Sequence, residues 1–283
     1  MLRTSREVRP LRAADRADAL ALCARDPASS VYVAARIGET DLDRQRGSLV
    51  GYFRDGGALE SVCWVSANLV PVECTPDAAV AFAHRVRRQG SQFSSIFGPV
   101  DAVERLWSIL RSAWRDPLDI RAAQPLLALG PDDPLLAEPD PRVRLARVDE
   151  IDVLGPAAAA MFTEEIGYAP FSDARGRDAY WRAIRTIAGR GHAFVLVQDG
   201  RVVFKAEIGS AGVGACQVQG VWVAPDRRGQ GIAVPGMAAV TAYAREHVAP
   251  LVTLYVNDYN AAALATYTRV GFHRVGTFAT VLL

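Results

Sequence analysis

A chain of 283 residues with 50% hydrophobic and 22% charged residues has the composition of a folded globular protein and exceeds the length at which a single core usually stops growing, so two domains are expected. The formal net charge of +1 gives no overall argument for a polyanionic partner; no nucleic acid and no membrane are expected as partners, and any anion is expected to be held locally. Cys23, Cys63, Cys74 and Cys216 show no CxxC pairing, and three of them lie in apolar runs, which predicts reduced core thiols. No stretch approaches the roughly 18 apolar residues of a membrane span and no signal-like segment opens the chain, so a cytoplasmic location is expected.

In chain order, residues 8–12 precede a helical run over 15–23. A strand over 48–53, an Asp55-Gly56 turn and a strand over 59–65 read as a hairpin, because Asp-Gly between β-prone runs is a strong turn signal. A third strand over 67–72 leads through proline and aspartate to a helix over 78–88, then a strand over 94–97, a helix over 102–114 and a closing strand over 120–129. Residues 131–141 concentrate proline and aspartate and read as a linker between a first domain, 1–130, and a second, 142–283.

The second domain repeats the order. Residues 143–147 precede a helix over 149–161. A strand over 193–198, the turn Asp199-Gly200 and strands over 202–208 and 217–223 follow, then a helix over 234–247, a strand over 251–256, a helix over 261–269 and a closing strand over 277–283. An internal duplication follows from the parallel. In each half the third strand, helix and fourth strand form a βαβ crossover, so those two strands should be parallel neighbours in an otherwise antiparallel sheet. The predicted fold class is a mixed α/β sheet.

The segment with chemical character is Arg228-Gly229-Gln230-Gly231-Ile232-Ala233, set between a strand and a helix. Glycines there let backbone amides turn toward a ligand, and the helix N-terminus adds about half a positive charge, so a phosphate-bearing cofactor is the expected occupant and an ordinary Gly-rich turn the alternative. A dinucleotide fingerprint fails at Val234, and a P-loop would need a lysine where the chain, whose one lysine is Lys205, has none.

Val221-Trp222-Val223-Ala224-Pro225 leading into Arg228-x-x-Gly231-x-Ala233 resembles motif A of the GCN5-related N-acetyltransferases (GNAT), and Asn260 through Tyr267 to Gly271-Phe272 resembles motif B. The resemblance covers residues from about 143 to 283. The whole chain is similar to an actinobacterial type in which an uncharacterised, DUF4081-like domain precedes the GNAT domain. It implies a tandem architecture whose first half is a degenerate copy, since Glu73-Cys74-Thr75-Pro76-Asp77 puts two acids and no glycine at the loop position.

The resemblance further implies acetyl-CoA as cofactor, held by Val221, Trp222, Val223, Arg228, Gly229, Gln230, Gly231, Ile232, Ala233, Asn260 and Tyr267. An N-acetyltransferase would pass the acetyl group to an amine-bearing small molecule or peptide by direct attack, with Val223 in the oxyanion role and Tyr267 protonating the sulfur. A non-catalytic acetyl-CoA-binding sensor on the same fold is the alternative function. Asn260 can equally be a simple N-cap, and Tyr267 a core aromatic. Lys205 and Glu207 share one face of their strand, and Glu207 is the candidate base; a solvated Lys-Glu pair, or proton loss through water, are the alternatives. Glu164 and Glu165 can bind a cationic acceptor or simply form a solvated face. His84, His192, His247 and His273 lack metal-ligand spacing, so no metal is expected. A homodimer is compatible with this reading.

Overall fold

The computed structural model describes residues 8–45, 47–54, 57–90, 93–114 and 116–283; the expected Asp55-Gly56 turn lies outside the described residues. The first half runs β1 (Val8–Pro10), α1 (Arg16–Cys23), α2 (Pro27–Glu39), β2 (Leu49–Phe53), β3 (Leu59–Val65), β4 (Asn68–Val72), α3 (Pro76–Gln89), β5 (Ser95–Pro99), α4 (Val100–Leu110) and β6 (Asp119–Leu129). The second runs β7 (Arg144–Leu145), α5 (Ile151–Ile166), α6 (Ala174–Gly189), β8 (Ala193–Gln198), β9 (Arg201–Gly212), β10 (Ala215–Val223), α7 (Ala233–His247), β11 (Leu251–Tyr255), α8 (Ala261–Val270) and β12 (His273–Leu282). Two helices had no counterpart in the periodicity, α2 and α6, yet both carry start signals. Asp26 accepts from the Ser29 amide with Pro27 in the first turn, and Asp173 accepts from the Gly176 amide.

All twelve strands join in one sheet, in the order β1-β2-β3-β4-β5-β12-β6-β11-β10-β9-β8-β7. The two expected crossovers are present: β4 and β5 pair in parallel, as do β10 and β11, and every other pairing is antiparallel. The closing strands are exchanged. β6 pairs with β11, from Val252↔Leu129 to Tyr255↔Leu126, whereas β12 pairs with β5, from Phe278↔Pro99 to Leu282↔Ser95. The exchanged strands then pair with each other, from His273↔Ala128 to Leu282↔Asp119. Each half thus completes the other's sheet, and the junction leaves neither fifth strand as an open edge.

Helices cover both faces. In the second half, α7 and α8 bury Met237, Val240, Ala244 and Val270 against one face of the sheet, while Leu154, Ala158 and Ile184 of α5 and α6 pack on the other with Val195, Val202 and Trp222. The segment between the halves is pinned rather than free. The Leu136 amide donates to the Val270 carbonyl (3.0 Å), the Asp140 amide to the Pro235 carbonyl (3.0 Å), and Arg245 Nη1 to the Asp133 carbonyl (2.9 Å). Among the described residues no helix is long and apolar enough to cross a membrane, and all four cysteines are free, with Cys23, Cys63 and Cys216 buried.

Candidate active site

The site begins where two parallel strands part. β10 and β11 pair only from Ala215↔Leu251 to Gln217↔Thr253, so the remainder of β10 has no ladder partner on that side. On its other side a bulge opposes Gln219↔Glu207 and Trp222↔Lys205, three steps on β10 against two on β9. Gly220, within the bulge, has φ +60, and an isolated glycine in a strand pattern was the available sequence signal for it. Beyond the bulge the strand alternates. Val221 and Val223 pack toward α7 and α8, and Trp222 packs toward α5 and α6. The Ala224 amide donates to Val203 O (2.9 Å) on β9, so the Val223 N–H and C=O point the opposite way, into the opening.

β10 then runs into the glycine loop. Gly229 and Gly231 have φ +74 and +77, and a Cβ on either would meet nothing within 4 Å; backbone conformation, not crowding, requires glycine there. Ile232 stands at the N-cap of α7 and offers no side-chain cap. The Gly236 amide closes the first turn onto Ile232 O (3.1 Å) and Pro235 has no N–H, which leaves the Ala233 and Val234 amides without an intrahelical acceptor. These open amides, the helix dipole and Arg228 suit a pyrophosphate, so the residues present fit the cofactor that the motif suggests.

Tyr267 lies in the apolar cluster that contains Val221, Val223, Val256 and Ile232, with its ring 6.1 Å from that of Phe272. It is 7% exposed, and among the described residues its hydroxyl has no hydrogen-bond partner. Burial, with a smaller push from the Glu165 charge, raises its pKa well above the ordinary tyrosine value. Asn260 is exposed and caps α8, accepting from the Ala263 amide at 3.1 Å.

Lys205 and Glu207 do form a pair, but a buried one. Lys205 is 0% and Glu207 7% exposed, which replaces the solvated face considered from sequence. Lys205 Nζ lies 2.8 Å from Glu207 Oε1, donates to Gly220 O at 3.0 Å and reaches Met161 Sδ at 3.4 Å, so its three protons meet a carboxylate, a carbonyl and a thioether around the bulge. Tyr180 lies close enough for burial and then the Glu207 charge to push its pKa up to about 12. Glu164 and Glu165 are likewise engaged. Glu164 bonds Trp222 Nε1 (3.3 Å) and Arg228 Nη2 (2.5 Å), while Glu165 bonds Arg121 Nη1 (3.4 Å) on the exchanged strand β6. Arg121 had no sequence signal, because its place beside α5 depends on the strand exchange.

A parted pair of parallel strands running into an uncapped, glycine-bearing helix N-terminus makes an opening suited to an anion at the end of β10. The model of the acetyltransferase (GNAT) family matches residues 158–272, and that of a domain of unknown function, DUF4081, matches residues 47–154. Over almost the whole chain the fold is similar to solved structures. A GNAT-family acetyltransferase from Colwellia psychrerythraea has 12% identity and a TM-score of 0.57, covering 98% of this chain and 99% of that one. A GCN5-related N-acetyltransferase from Sphaerobacter thermophilus has 16% identity and a TM-score of 0.63, covering 97% and 94%. A tandem GNAT protein from the clavulanic acid biosynthesis pathway has 16% identity and a TM-score of 0.59, covering 97% of each chain. No curated protein matches the chain. Residues 158–272 thus match the GNAT family and residues 47–154 the DUF4081 domain, the fold over nearly the whole chain is that of GNAT structures, a tandem GNAT protein among them, and the GNAT match supports acetyl transfer in general.

Proposed function

We propose that the second half binds acetyl-CoA and transfers its acetyl group to an amine by direct attack in a ternary complex. One observation carries the reading: the open side of β10 leads, through the short turn Pro225–Arg227 and the glycine loop, to the uncapped N-terminus of α7, and Tyr267 belongs to the same cluster of side chains. The amides from Gly229 to Ala233, with Arg228 and the Gln230 backbone, would hold the pyrophosphate, and the edge of Val221, Trp222 and Val223 the pantetheine, with Asn260 beside it. Bound there, acetyl-CoA supplies an activated thioester carbonyl.

The Val223 N–H faces the opening and can donate to the carbonyl oxygen as charge develops on it. Tyr267, with its raised pKa, keeps its proton at neutral pH and can give it to the departing sulfur. Glu207 as base would act against the lysine charge 2.8 Å away, so proton loss from the amine through water is its competitor. The test is thiol release from acetyl-CoA with a panel of primary amines. Amine-dependent release that collapses in Tyr267→Phe supports the mechanism; cofactor binding without turnover on any amine favours a sensor.

A further inference from the structure

Arg228, assigned above to the pyrophosphate, already has an anion. Its Nη2 lies 2.5 Å from Glu164 Oε2 on the last turn of α5, and its Nε donates to Val223 O at 3.1 Å. The guanidinium is folded back along the open edge of β10, across the carbonyl that faces the cleft. Glu164's other oxygen is bound by Trp222 Nε1 at 3.3 Å, so one carboxylate bridges two members of the proposed cofactor strand and loop. Both ends of the ion pair are half exposed, 50% and 41%, which makes it cheap to exchange. The next residue reaches the other way. Glu165 Oε1 pairs with Arg121 Nη1 at 3.4 Å, and Arg121 Nη2 donates to the Glu165 carbonyl at 3.2 Å, which ties the end of α5 to β6 whatever Arg228 does.

We propose that Glu164 is a positioning residue that acts through Arg228: it holds the arginine as a stand-in anion, and cofactor binding exchanges this carboxylate for the pyrophosphate. The proposal rests on the acetyl-CoA reading. Its sign is the opposite of an ordinary structural tie. A carboxylate that competes for the arginine opposes binding, so its removal should strengthen the complex, whereas loss of a mere brace between α5 and β10 would weaken it.

The experiment is calorimetric titration of free CoA into the full-length wild type, Glu164→Gln and Glu164→Ala, at low and high salt, with thermal melting as the folding control. Both variants should bind CoA about 2- to 5-fold more tightly than wild type at low salt, with the gap closing at high salt. In an Arg228→Met background the Glu164→Gln effect should vanish, since the competition needs the arginine. Unchanged or weaker binding in the two Glu164 variants, against normal wild-type binding, would overturn the exchange and leave the cofactor assignment standing. Failure of all the proteins to bind CoA would overturn the assignment, and the exchange with it.

Discussion

The helix N-termini of α3 and α7 occupy the same place in the two halves, each following the third strand of its meander, and they account for their amides in opposite ways. Thr75 caps α3 by accepting from the Ala78 amide at 3.3 Å, Pro76 opens the helix, and the Glu73 carbonyl is taken by Ser61 Oγ at 2.5 Å. At α7 no side chain caps the helix, and two glycines replace the acids. The strands part in both halves, since β4 and β5 pair only at Asn68↔Ser95 and Leu69↔Ile96. In the first half, however, Asn68 bonds Tyr32 Oη (2.9 Å) and Ser95 Oγ (2.8 Å), and the Tyr32 ring packs on Phe97 at 5.0 Å. β3 and β4 also keep register from Val62↔Val72 to Val65↔Leu69, without the bulge of β9 and β10. A parted pair of strands is therefore property of the fold; unspent hydrogen-bond donors at the helix end make it a candidate site.

The largest expected effect comes from erasing what is particular to α7. Gly231→Val puts a β-branched residue at φ +77 and a side chain in the anion space, and should remove detectable acetyl-CoA binding by calorimetry while the protein still melts cooperatively. Tyr267→Phe should leave binding and melting temperature near wild type and lower kcat by roughly 10² to 10⁴; near-normal turnover would make Tyr267 a core aromatic only. Lys205→Met strands the Glu207 carboxylate at the bulge and should cost about 3 to 5 kcal/mol in denaturant unfolding. Thr75→Ala, in the capped half, should cost about 1 kcal/mol of stability and leave acetyl-CoA affinity unchanged.

A pH series adds a sign. Burial raises Tyr180, Tyr255, Cys74 and Cys216 to about 12, above the values of about 9 to 10 that these groups have when unfolded. The folded chain therefore holds protons that the unfolded chain releases in that window. Stability is fully present below pH ~9 and falls as pH rises toward the folded-state values, which urea melts across that range can check.

Much of this was legible in the sequence because it is local. Asp199-Gly200 marks the β8–β9 hairpin, and the order of strand, helix and strand fixes the parallel pairing of β10 with β11. The glycines of the α7 loop mark its positive φ positions, and Gly220, an isolated glycine in a strand pattern, marks the bulge. The exchange of β6 and β12 was not legible. An alternating run states that a strand exists and which face is buried, but not which edge it joins, and β6 and β12 have similar neighbours available in either half. Everything that depends on the exchange was hidden with it: Arg121 beside Glu165, and the chain from Thr280 through Gln124 to Asn257 at 2.6 and 2.8 Å. The burial of the Lys205-Glu207 pair was also hidden, since period two places both on one face without saying that Met161 of α5 covers them.

The central claim is that two similar openings give one cofactor site, and the stoichiometry of acetyl-CoA binding to the full-length chain tests it most directly. Isothermal titration should give one molecule per chain, with binding lost in Gly231→Val and kept in Thr75→Ala. Two equivalent sites per chain, or a single site that survives Gly231→Val, would contradict the account.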